Sequence, residues 1–498
     1  MNKSRRDFVK IVVAGTVAAG CPIDSSLLIE TAGTPALETE DFRICHTLRD
    51  GKFFSSPPVE AHHDVVIIGG GVSGLTAAYM LRHRNCLVLE KEPHWGGNAY
   101  TMEYQGIPYP TGCTFLPSNE DVAYALVKEL GLEPLPINNW DGTIIGGEYI
   151  ADTWGDGLDR LPYARGIRDG FRQFKQSMLS VNLKRQASDY LNVPLSKFTD
   201  NFPAELRSWW DAYGLSNWGT ATDETPAAVA IADLQDFAGD NRRDTRYMLP
   251  GGNGQLVKRL SEILGRGMQA GATVVRVVSD KSEVRVTYVQ GEELKTVAGT
   301  AAVVAVPKLI ARYIIPGLPQ EQRAAMASIR YIPYVVVNLV FDKPVFDSGY
   351  NTWCPGNTFT DFIVADWVLR RHASYLPKFT ILTCYVPMRE EDRIYLLSND
   401  GARKIASNVL RDFQRMLPRL NAQPVEVHIY RRGHPLFKSM VGLHTHVQPL
   451  ARQSMDRVFF AHSDSEGPVA TIDAAVASGR RSAKEVENRL VGKPASKS

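Results

Sequence analysis

Residues 64–90 constrain the fold more than any other stretch of the chain. Asp64-Val65-Val66-Ile67-Ile68 is a continuous β-branched run of the kind that forms a buried parallel strand. Gly69-Gly70-Gly71-Val72-Ser73-Gly74 follows at once, placing G-x-G-x-x-G at Gly69, Gly71 and Gly74, and Leu75-Thr76-Ala77-Ala78-Tyr79-Met80-Leu81 continues as a helix. A second strand, Cys86-Leu87-Val88-Leu89, ends at Glu90, 21 residues after Gly69. Each part has a mechanical reason. Gly69 allows a tight turn, Gly71 lets main-chain amides approach a pyrophosphate, and Gly74 lets helix and strand pack closely. The helix N-terminus at Val72 and Ser73 offers its partial positive charge to phosphates, and Glu90 can accept hydrogen bonds from an adenosine ribose. The expected fold class is α/β, with a Rossmann-type dinucleotide-binding domain.

A second glycine pair follows the acid, in Lys91-Glu92-Pro93-His94-Trp95-Gly96-Gly97-Asn98-Ala99. Here the sequence resembles the flavin-containing amine oxidase superfamily, which includes monoamine and polyamine oxidases, phytoene-type desaturases and protoporphyrinogen oxidases. The resemblance implies FAD as cofactor, with Lys91, Gly96, Gly97 and Asn98 in the FAD-binding stretch. A further family segment stands as Gly106-Ile107-Pro108-Tyr109-Pro110-Thr111-Gly112, with Pro110 where the family has an acid.

Three later segments extend the resemblance in order. Pro250-Gly251-Gly252-Asn253-Gly254-Gln255-Leu256 is similar to the family's central loop-to-helix element. Strands are expected at Ala272–Val277 and Ala301–Pro307, and the resemblance implies an adenine contact at Val274 or Val275, with Val274 favoured. Near the end, Val458-Phe459-Phe460-Ala461-His462-Ser463-Asp464 precedes a small-residue helix from Ile472. Asp464 matches the family acid that lies near the ribityl or phosphate groups, while His462 replaces the usual glycine. The helix dipole would stabilise charge on the reduced flavin.

The amino terminus reads as an address. Ser4-Arg5-Arg6-Asp7-Phe8, Lys10 and the apolar run Ile11–Gly20 resemble a twin-arginine export signal, giving a signal peptide over 1–30 and an arm over 31–60. A periplasmic or otherwise exported protein is expected, meeting the twin-arginine machinery, with a membrane anchor only if Cys21 is lipidated. No other stretch approaches 18 apolar residues. The 56 Lys and Arg balance 54 Asp and Glu, a net charge of +2, so nothing points to a nucleic-acid partner. The six cysteines include no C-x-x-C, which leaves no readable metal or thioredoxin-like site.

The cofactor motifs are discontinuous, at 61–115, 245–335 and 450–490. Residues 116–244, helical over 151–245, and 336–449, β-rich over 330–400, would form an interleaved α+β substrate-binding domain. Ligand would sit between the two. Many amine oxidases of the superfamily carry a lysine on a K-V-x-L-x-F-D-x-P strand, where it holds a water at the flavin N5. Here Val336 takes its place, and Thr471 stands where an aromatic cage residue is often found. His434, His444 and His446 are weak candidates for orienting substrate or moving a proton. His62-His63 reads as solvated, and Trp209, Trp210 and Trp218 as core. The leading expectation is hydride transfer from a small-molecule substrate, most simply an amine C–N unit, to FAD, with oxygen or a redox partner as final acceptor. A desaturase or redox-neutral isomerase of an apolar substrate, and a non-catalytic flavin-binding protein, are the alternatives.

Overall fold

A computed structural model describes residues 36–239, 242, 244–371, 375, 378–418 and 422–491. The expected signal segment and Cys21 lie outside them.

Two sheets organise the chain. The first has seven strands. Val59–Ile68 lies at its centre, parallel to Cys86–Leu89 on one side and to Glu293–Val304 on the other. Val65, Val66, Ile67 and Ile68 are 0–2% exposed, as a strand covered on both faces requires. His62 and His63 belong to this strand rather than preceding it. The helix Val72–Met80 leaves the glycine turn and packs on the last helix, Ile472–Leu490. Gly479 makes this approach possible: a Cβ there would lie 2.5 Å from the Ser73 carbonyl oxygen. The short strand Val458–Phe460 pairs in parallel with Ala302–Val304.

The second sheet has eight strands, in the order Ala36–Thr39, Glu426–Phe437, Tyr331–Phe341, Thr380–Pro387, Asp361–Val364, Asn351–Trp353, Gly142–Ile145 and Glu148–Ile150. The helix Asn399–Met416 covers one face. It buries Ala402, Ile405, Ala406, Val409, Leu410 and Phe413, a stripe at helical spacing. The helices Arg165–Leu179, Ala204–Trp218 and Ala227–Ala238 form a separate core around Trp154, Trp209, Trp210 and Trp218.

Two expected boundaries fall inside elements. The strand Tyr331–Phe341 lies wholly in the second sheet, although the motif spacing places 331–335 in the first domain. The supposed arm supplies the edge strand Ala36–Thr39, the helix Arg43–Arg49 and the start of the central strand of the first sheet. The edge strand gains main-chain pairing to Glu426–Phe437, which hydropathy periodicity does not encode. No helix among the described residues is long and apolar enough to cross a membrane.

Candidate active site: a nucleotide cleft joined to an acidic aromatic chamber

A cavity of about 1110 Å3 runs from the glycine turn to the second sheet. Gly69, Gly71, Val72, Ser73, Glu90, Lys91, Gly96, Gly97, Asn98 and Val274, all expected to bind cofactor, line it. Gly69 has φ +108°, and a Cβ there would lie 2.7 Å from the Ala305 carbonyl oxygen. Gly71 differs: beyond its own chain neighbours, no described residue comes within 4 Å of where its Cβ would stand. The first-turn amides of Val72–Met80 have no carbonyl of their own helix to bond and are available at this opening. Gly74 does not line the cavity but lets helix meet strand, since a Cβ there would lie 1.9 Å from the Gly69 carbonyl oxygen.

Glu90 closes the loop on itself. Its carboxylate accepts from Gly70 N at 2.7 Å and from Glu92 N at 2.9 Å. Burial raises its pKa, while those amides pull the other way. Lys91 pairs with Glu92, and the carboxylates of Glu40 and Glu92 keep it protonated above the usual lysine range against its burial. The second glycine pair is held against the first. Gly96 N donates to Gly70 O at 2.9 Å, and Val257 of the helix Gly254–Leu264 fills the space behind Gly96. The central loop-to-helix element therefore buttresses the cleft rather than lining it. Asn98 ties the cleft to the second sheet, donating to Pro435 O at 2.8 Å and accepting from Arg432 at 3.0 Å.

Asp464 departs from expectation. It is 1% exposed and does not line the cavity. Lys308 Nζ reaches Oδ1 at 2.7 Å, and Lys308 N and the Tyr331 hydroxyl donate to Oδ2. Lys308 thus engages this carboxylate away from the cavity, which His462 and Ser463 line. Lys308 was not singled out from the sequence, because one lysine after a strand carries no distinguishing pattern.

Of the three histidines, only His434 lines the cavity. Burial, with the nearby Arg393, His46 and Arg49 charges, pushes its pKa down to about 3, so its imidazole is neutral near pH 7. His444 bonds Gln448 at 2.9 Å and His446 contacts Thr445 within the π turn Leu443–Val447, away from the cavity. Neither borders the cavity, because Leu443 anchors that turn in the core of the first sheet. Thr471 caps the last helix, accepting from Ala474 N at 3.0 Å, and forms no aromatic wall.

The wall comes from the second sheet. Val336 is paired with Tyr430 on one neighbouring strand and with Tyr385 on the other; Asp361 is paired with Tyr385, and Trp353 with Asp361. Directly opposed residues share a face, so Tyr430, Val336, Tyr385, Asp361 and Trp353 stand abreast, and all five line the cavity. Above them Trp154, Trp209, Tyr213 and Trp218 close the chamber, with Tyr213 and Trp353 rings 4.6 Å apart. These tryptophans are both core and wall.

The chamber carries carboxylates of two kinds. Asp141 and Asp244 share Arg246, and Asp152 pairs with Arg242. Asp361, only 3% exposed, has hydroxyls and, among the described residues, no cation: Ser216 donates at 2.7 Å and Thr360 at 2.8 Å. Asp233 accepts from the Tyr213 hydroxyl at 3.1 Å. Burial pushes both pKa values up to about 7. An acid facing a cavity without a counter-charge suits a cationic ligand. Asp361 and its row were not found from the sequence. The one signal was an acid entering the apolar run Phe362-Ile363-Val364.

Comparison with known proteins agrees with this geometry. The model of the family described as flavin containing amine oxidoreductase matches residues 72–487. Oxidoreductase PigB of Serratia sp. (strain ATCC 39006) is 25% identical over 527 aligned residues, covering 88% of this chain and 77% of that protein. The flavin-containing amine oxidase A of Sus scrofa is 41% identical over 78 residues, 15% of either chain. The structure of wild-type putrescine oxidase bound to putrescine superposes with a TM-score of 0.67 at 20% identity, over 87% of this chain and all of that one. That likeness shows the fold, an FAD-binding domain with a substrate domain. The chain belongs to the flavin-containing amine oxidoreductase family, with FAD as its cofactor.

Proposed function

We propose that the protein oxidises a small amine carrying a second cationic or hydrogen-bond-donating group, using FAD. The carrying observation is the single cavity that joins the glycine cleft to Asp361. Bound FAD supplies the hydride acceptor for the carbon beside nitrogen. The residues of the chamber do the rest. The aromatic walls exclude water and favour the neutral form of the reacting amine by desolvation. Adjacent strands lie about 4.8 Å apart, so Asp361 stands about 10 Å from Val336, two strands along the row. A carboxylate at that reach would hold the far end of an extended diamine, leaving the near end toward the glycine cleft whose residues would hold FAD. Putrescine, the ligand named for the putrescine oxidase structure, has this chemistry. A buried carboxylate facing the cavity supports this reading over desaturation of an apolar substrate.

The test is anaerobic mixing of the holoprotein with a series of monoamines and diamines of increasing length. Bleaching of the yellow flavin band by diamines, with an optimum in chain length, is expected. No bleaching by any amine would overturn the reading. We further propose export by the twin-arginine route, supported by Ser4-Arg5-Arg6 and the apolar run after it. Replacing both arginines by lysine should retain a reporter fused to residues 1–30 inside the cell.

A further inference from the structure

His462 adopts a backbone conformation that side chains rarely take. Its φ is +93° with ψ 149°, a region open to glycine and costly for a residue with a Cβ. The other non-glycine residues with positive φ, among those described, lie at +49° to +52°, in the ordinary left-handed region. Such strain persists where the side chain contributes something that outweighs it.

The place of the imidazole indicates what that is. Phe460, Val304 and Ile68 lie side by side at the carboxyl ends of three parallel strands. Their chains leave the sheet together as Ala461, Ala305 and Gly69, and His462 lines the cavity beyond this edge with Gly69, Gly71 and Val306. Anionic cofactors are held at such an edge. His462 Nδ1 lies 3.0 Å from Asp464 Oδ2. The Asp464 amide donates to the same Nδ1 over 3.3 Å, so the neutral imidazole carries its hydrogen on Nε2. Lys308 fixes Asp464 in turn, through its ammonium at 2.7 Å and its amide at 2.9 Å. Nε2 has no hydrogen-bond partner among the described residues.

We propose that His462 is a cofactor contact, braced by Asp464, that donates from Nε2 to the oxygen-rich diphosphate–ribityl part of FAD. The inference rests on the reading of the cleft as an FAD site. It also accounts for the strain: the chain keeps a costly conformation because the imidazole completes a cradle that amides alone leave open.

The experiment measures melting of apoprotein and calorimetric affinity for FAD and for ADP, with wild type, His462→Gly and His462→Phe. Glycine relieves the backbone, so the apoprotein should melt higher while FAD binds about ten- to hundred-fold more weakly. Phenylalanine keeps the bulk without the donor and should weaken FAD similarly, which carries the test if the glycine variant does not fold. A parallel loss for ADP assigns the contact to the diphosphate, and unchanged ADP affinity assigns it to the ribityl chain. FAD affinity within about twofold of wild type in either variant overturns the proposal. Failure of wild type to bind FAD would instead overturn the cofactor reading itself.

Discussion

Ser216 Oγ donates to Asp361 Oδ1 over 2.7 Å, and the same hydroxyl lies 2.8 Å from Tyr334 Oη. The hydroxyls orient the carboxylate without neutralising it. Asp361→Asn keeps the shape and removes the charge. It should raise KM for a diamine by about one to two orders of magnitude while changing KM for a monoamine much less. The Asp361 carboxyl, pushed up to about 7 by burial, must ionise before it can hold a cation. The wild-type KM for a diamine should therefore fall as pH rises through about 7, and this limb should be absent in the variant. Steady-state kinetics across pH checks both.

The same group sets a stability slope. Folded Asp361 keeps its proton up to about 7, whereas the unfolded chain releases it near the ordinary carboxylate value of about 4. Between these values the folded state binds more protons, so stability falls as pH rises and the loss is complete above about 7. Apoprotein should melt lower at about pH 8 than at about pH 5, and Asp361→Asn should narrow the gap. Asp233, raised to about 7 by its own burial, contributes part of the remainder. A diamine added at the higher pH should restore melting temperature in wild type only.

Two glycines of one turn should fail differently. Gly71 has φ −75° and, beyond its chain neighbours, no described residue within 4 Å of its missing Cβ, so Gly71→Val should fold and melt as wild type yet retain no FAD. Gly74→Ala meets the Gly69 carbonyl oxygen at 1.9 Å and should lower the melting temperature before cofactor is considered. Differential scanning calorimetry with flavin absorbance separates the two.

Lys308 and Asp464 form an ion pair with neither side chain exposed. Lys308→Met strands the carboxylate, and loss of about 3–5 kcal/mol in apoprotein stability is expected. Lys308→Met with Asp464→Asn should recover part of it, because no uncompensated charge then remains. Urea denaturation of the single and double variants measures the difference.

The nucleotide cleft was legible because its chemistry is local. Asp64 to Glu90 form one strand–turn–helix–strand unit, and each residue type there answers to a neighbour in sequence. The chamber was not legible in the same way. Val336, Tyr385 and Asp361 lie on three strands and become neighbours only through register. The resemblance did single out Val336, yet nothing near residue 336 says that an acid stands two strands away. Asp464 shows the opposite failure. Its motif was read correctly as a motif, but Lys308, distant in sequence, had already claimed the carboxylate. His434, His444 and His446 look alike in a chain of letters, and only burial separates the one that borders the cavity.

The edge strand Ala36–Thr39 sits beside His428–Arg431, and the helix after it contributes Phe42, Cys45, His46 and Arg49 to the cavity wall. An early strand of the described chain is thus completed by a late one. Until residue 431 has been synthesised, this part of the wall has no docking partner. Trimming the chain beyond Ala36 would leave that side of the chamber open to solvent.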